Sequence, residues 1–66
     1  MTDAVIATTK ALLDGRVPEG ALGSDVAFAL RGYRAGLLDR YDLLETVART
    51  YRRRGGALIA VSETGR

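Results

Sequence analysis

The chain contains no cysteine, no histidine and no tryptophan, and one proline, among 66 residues. Without cysteine there is no disulfide and no thiolate metal site. Without histidine the usual general base is missing as well, and with cysteine gone so is the strongest nucleophile. The carboxylates from Asp3 to Asp42 are scattered rather than clustered as a hard cation requires. No apolar run approaches the ~18 residues of a membrane span. The N-terminal stretch carries Asp3 and no basic residue before Lys10, unlike a signal peptide. These absences argue against an enzyme, a metal site, a cofactor and a membrane partner, and the expectation is a cytoplasmic chain.

What is present is apolar and small. Residues of the set AVILMFWYC make up 47% of the chain, too many for a disordered segment. A chain of this size buries only about 60% of the surface that its unfolded form exposes. Lacking a disulfide or a metal, it needs a compact helical core, a partner, or both. Nine of the ten basic residues are arginine, which beside so much Ala and Gly fits the coding bias of GC-rich DNA.

Hydrophobic periodicity divides the chain into three helices, at about 2–14, 24–35 and 39–54. In the first, Val5, Ile6, Thr9, Leu12 and Leu13 share one face, Thr2 serves as N-cap and Gly15 as the stop. The connection that follows is punctuated by Pro18, Gly20 and Gly23, and Val17 or Leu22 can plug the edge of the core.

The second helix opens on Ser24 as N-cap. Its stripe is Val26, Leu30, Tyr33 and Leu37, and a strip of small residues, Ala29, Gly32 and Gly36, runs beside it with Phe28 and Ala35 beyond. A helix apolar around most of its girth is central or lies at an interface. Gly32 in its middle costs about 1 kcal/mol against alanine, which close approach of another helix can offset.

Gly36 ends that helix. Asp39 then caps the third, with Asp42 at the third helical position completing a weaker form of the capping box, and Leu38 and Leu43 forming a hydrophobic staple. Tyr41, Leu44, Ala48 and Tyr51 form the expected core stripe, widened by Leu43 and Val47. Gly55 and Gly56 end the helix. Residues 55–66 are then a C-terminal arm whose "ALIAV" is apolar and able to form a short strand. The whole chain, 1–66, is one small all-α domain.

Two functional surfaces follow. The first is a protein interface of Phe28, Ala29, Gly32, Tyr33 and Gly36 with Leu58, Ile59 and Val61 of the arm. About twenty sizeable apolar side chains are more than three short helices can cover, so the surplus goes into a partner. That partner is another copy, a dimer by default, and then another protein, as suits a small accessory or regulatory protein of bacterial or phage type.

The alternative is contact with nucleic acid through Arg49, Arg52, Arg53 and Arg54, in a small dimeric DNA-binding regulator. The sequence pI near 9.5 is compatible with weak attraction to phosphate. Yet acids in the first turns and arginines in the last are what the helix macrodipole favours, and Glu45 to Arg49 is a favourable pair one turn apart. A helix-turn-helix with Gly36 in its turn would require Asp42 and Glu45 to be buried, which fits badly. Tyr33, Tyr41 and Tyr51 lie on apolar stripes and read as core or interface rather than as platforms for bases.

Overall fold

A computed structural model describes residues 3–56. It is all-α, with three helices: α1 (Asp3–Leu13), α2 (Ser24–Arg34) and α3 (Arg40–Arg53). The expected Thr2 cap and the apolar arm, with Leu58, Ile59 and Val61, lie outside the described residues.

The helix ends are built by local chemistry. Each helix stops on a glycine with positive φ: Gly15 at 75°, Gly36 at 80° and Gly55 at 70°. At each stop two backbone N–H groups turn back to helix carbonyls. In α2 these are Gly36 to Tyr33, at 3.1 Å, and Leu37 to Gly32, at 2.9 Å. The pattern is a Schellman motif, and glycine takes its left-handed position without a Cβ penalty. At the start of α3 the full capping box is formed. The Asp42 N–H donates to Asp39 Oδ1 at 3.0 Å, and the Asp39 N–H donates to Asp42 Oδ2 at 3.1 Å.

The start of α2 differs from the expectation. Gly23, not Ser24, is the capping residue, with φ 109° and ψ 169°, and no side chain caps the helix. Glycine reaches that backbone region readily. Its carbonyl accepts the first helical bond from the Ala27 N–H at 3.1 Å, which draws Ser24 into the helix proper.

Three contacts set the topology. The Arg34 guanidinium donates to the Leu12 carbonyl at 3.3 Å, joining the C-terminal ends of α1 and α2. Arg53 pairs with Asp25 at 3.8 Å, joining the C-terminal end of α3 to the N-terminal end of α2. Leu38, in the turn, packs over Gly32. So α3 runs antiparallel to α2, and the C-terminal end of α1 lies at the C-terminal end of α2. α3, not α2, is the central helix: it packs along both neighbours. The connection 14–23 must therefore run back along α2, a helix about 16 Å long. It buries Val17 and Leu22 as it crosses, closing the core edge as the sequence implied.

The core holds Val5, Ala11 and Leu12 from α1, Val26, Ala29 and Leu30 from α2, and Leu43, Val47 and Ala48 from α3, together with those two loop residues. Two helices are rotated from their expected phase. α1 turns toward Thr8 and Ala11, leaving Ile6 43% exposed and Leu13 half-buried. α3 turns toward Leu43 and Thr50, leaving Tyr41 78% exposed and Leu44 and Tyr51 half-buried. Threonine is tolerated inside because its hydroxyl can donate to the carbonyl one turn back. Thr9 donates to Val5 at 2.8 Å and Thr50 to Thr46 at 3.1 Å, and no buried side-chain polar atom among the described residues lacks a partner. In α2, Leu37 drops out of the stripe and is 80% exposed, because the turn at Gly36 swings the chain away before it.

Candidate protein interface

Two grooves flank α3. The first lies between α1 and α3. Its floor is Leu13, Tyr33 and Leu44, all half-buried against the core, Ile6 stands exposed along it, and Lys10, Asp14 and Arg40 line its rim. An adjoining hollow shares Tyr33, Arg40 and Leu44 and adds Asp39 and the exposed Tyr41. The second groove lies between α2 and α3. Phe28, 72% exposed, stands over Ala29 and Leu38, flanked by Asp25, Thr46 and Arg49.

The interface residues expected from sequence are distributed rather than gathered. Phe28 is at the surface beside the second groove, whereas Tyr33 lines the first, because five residues along a helix turn well away from each other. Ala29 is buried against α3 within the chain. Gly32 does not lie open for a second helix: Leu38 covers it, and a Cβ there would stand 2.9 Å from Leu38 Cδ1. Gly36 has open space around it and serves the turn through its positive φ.

Ile6 and Tyr41 are surface residues that sequence reasoning had assigned to the core. The only signal that could have flagged them was the threonines that replace them inside, since Thr8 and Thr50 occupy the competing faces.

Arg49, Arg52, Arg53 and Arg54 are all exposed at the end of α3. Arg53 is held by Asp25 and also donates to Thr50 Oγ1 at 3.4 Å. Arg49 donates to Thr46 Oγ1 at 3.4 Å and makes no ion pair with Glu45. Among the described residues Arg49, Arg52 and Arg54 have no ionic partner. Asp42 and Glu45 are exposed, so α3 does not adopt the register in which a helix-turn-helix would bury them. Among the described residues no three potential metal ligands stand together, and no helix is long and apolar enough to cross a membrane.

The described residues thus form a three-helix all-α domain with two apolar grooves and one cationic end. Comparison with protein-family models, with curated proteins and with solved structures returns no match.

Proposed function

We propose that this chain is a small non-enzymatic protein-interaction module, of an accessory or regulatory kind, that self-associates and binds a second protein. The observation that carries this reading is the apolar surplus on its surface. Ile6, Phe28, Leu37 and Tyr41 remain exposed although the core is complete without them. Single exposed apolar side chains are ordinary, but here Ile6 stands by half-buried Leu13, Tyr33 and Leu44, and Tyr41 by Tyr33 and Leu44, which gathers apolar side chains into two adjoining strips. Such strips with charged rims are characteristic of association surfaces. Moving a side chain the size of Phe28 from water into a partner is worth about 1.5–3 kcal/mol. The apolar arm residues Leu58, Ile59 and Val61 belong to the same reading. Sedimentation of the full chain over a concentration series tests it. Association that strengthens with concentration and is insensitive to salt is expected, and a monomer at every concentration would refute the self-associating half.

A second reading has one observation in its favour: Arg49, Arg52 and Arg54 lie exposed at one end without ionic partners among the described residues. Phosphate of duplex DNA is the ligand such an end would take. A salt titration of binding to duplex DNA decides it, because phosphate contacts lose affinity steeply as salt rises.

A further inference from the structure

We infer that the groove between α1 and α3 is the seat of this chain's own C-terminal segment, residues 57–66, folded back along α3. The inference goes beyond the association reading and does not rest on it. It starts from the place where the chain leaves α3. There the backbone takes positive φ twice running, 70° at Gly55 and 89° at Gly56. The Gly56 N–H donates back to the Tyr51 carbonyl at 2.8 Å. A Cβ on Gly56 would stand 3.7 Å from Tyr51 Oη. The chain therefore turns back at the end of α3 and departs beside the Tyr51 ring.

Tyr51 marks the flank of departure. Leu44 precedes it by seven residues, about two turns, so both lie on one face of α3, and both are half-buried against the core. Leu44 belongs to the floor of the α1/α3 groove. Thr46 and Arg49, which line the groove beside Phe28, are each two residues from Leu44 or Tyr51 and so lie about 200° round the helix. To reach Phe28 the segment would have to cross the arginine end, whereas Leu44 lies straight ahead on the same face. The length suffices. Arg40, on the rim of the α1/α3 groove, is about 16 Å from Tyr51 along the helix axis. An extended chain gains about 3.3 Å per residue, so Gly56 to Glu63 spans roughly 23 Å.

The chemistry of the segment matches what it would meet. The sequence after Gly56 is ALIAVSETGR. In an extended run Ile59 and Val61 fall on one side, the side that meets Leu44, Leu13 and Ile6. Glu63 is the one acid of the segment, and it comes within reach of Lys10 and Arg40, the two cations of the groove. Asp14, the one acid of the groove, already pairs with Arg16 at 3.5 Å. A segment tethered this closely meets its seat at an effective concentration of about millimolar, which favours its own groove over that of another copy in dilute solution. Seated there, it covers Ile6 and leaves Phe28, Leu37 and Tyr41 to partners.

The test uses the full chain. It has no cysteine, so Ser62→Cys offers a single site for a nitroxide spin label, and circular dichroism checks the fold. Paramagnetic broadening of the backbone amide signals is expected to be strongest at Lys10, Leu13 and Arg40 and weaker at Asp25 and Phe28. Adding Ile59→Asp is expected to abolish that preference and Glu63→Lys to reduce it. Broadening strongest at Asp25 and Phe28, or equal everywhere, overturns the assignment, as does a preference that survives both substitutions. A mixture of spin-labelled chain with isotope-labelled chain lacking the nitroxide is expected to show no broadening at Lys10 and Leu13. The same pattern in that mixture would seat the segment on another copy and overturn the inference. Sedimentation reads self-association separately, so either reading can fail without the other.

Discussion

Leu38 Cδ1 stands 2.9 Å from the point where a Cβ on Gly32 would lie. The leucine comes from the turn after α2 and folds back over the helix it has just left, as the Schellman turn at Gly36 directs it to. The small residue in the middle of α2 is thus explained within one chain. It admits Leu38, which packs half-buried against the core.

This relationship can be measured as a coupling. Gly32→Ala gains helix propensity, about 1 kcal/mol in an exposed helix, but must displace Leu38. In a Leu38→Ala background nothing is displaced. Gly32→Ala is therefore expected to be more stabilising in that background than in the wild type, with a coupling of about 0.5–3 kcal/mol as for contacting residues. Urea melts of the four chains give the value. Strict additivity would show that Leu38 does not fill this space.

The cap on α3 should behave as a unit. Asp39→Ala removes the acceptor for the Asp42 N–H and is expected to cost about 1 kcal/mol, within the usual range of roughly 0.5–2. Asp42→Ala removes only the return contact to the Asp39 N–H and should cost less. Denaturant midpoints of the two variants check the order. Two neutral substitutions would mean that α3 needs no cap.

The rotation of α3 makes a contrast between adjacent turns. Leu43→Ala empties a fully buried position and is expected to cost about 2–5 kcal/mol, enough to unfold much of a chain this small. Tyr41→Ala alters an exposed position and should stay within about 0.5 kcal/mol in the monomer. Thermal melts at concentrations low enough to avoid association distinguish them. The reverse order would restore the phase expected from the apolar pattern alone.

The arginine end should be nearly silent for stability. Arg53 and Asp25 are 3.8 Å apart and both more than half exposed, and pairs of that kind contribute about 0–1 kcal/mol. Replacing Arg52, Arg53 and Arg54 together by alanine is expected to leave the helix content and dimerisation near those of the wild type, by circular dichroism and sedimentation. Loss of duplex DNA binding in that variant, with the fold intact, would favour the phosphate-binding reading.

The elements of this fold were legible where the information is local. A capping box relates Asp39 to Asp42, and a glycine stop relates Gly36 to the turn before it. Both depend on residues three to six apart, whatever else the chain does. The three helices, their ends within a residue or two, and the plugging of the core by Val17 and Leu22 follow from such signals. The start of α2 was misjudged by one residue, because Gly23 could take a backbone conformation that made the Ser24 cap unnecessary.

The candidate site was less legible, and the reason is the helix phase. The apolar and small residues of α1 span a broad arc, within which Ile6 and the Thr8–Ala11 side compete for the interior. α3 presents the same choice between Tyr41 and Thr50. Periodicity cannot decide between adjoining faces when a threonine can hide its hydroxyl by donating to the carbonyl one turn back, as Thr50 does to Thr46. The choice falls to packing: α3 must face α1 and α2 at once, and that puts Leu43, Val47 and Thr50 inside and Tyr41 out. By itself the sequence determined three helices, the cap of the third, their glycine stops and a chain with more apolar side chains than its core needs. The tertiary structure alone decided that α3 is central, that Leu38 covers Gly32, and that Ile6 and Tyr41 stay at the surface. Those outcomes join residues distant in the chain, and their energies exist only once the helices have docked.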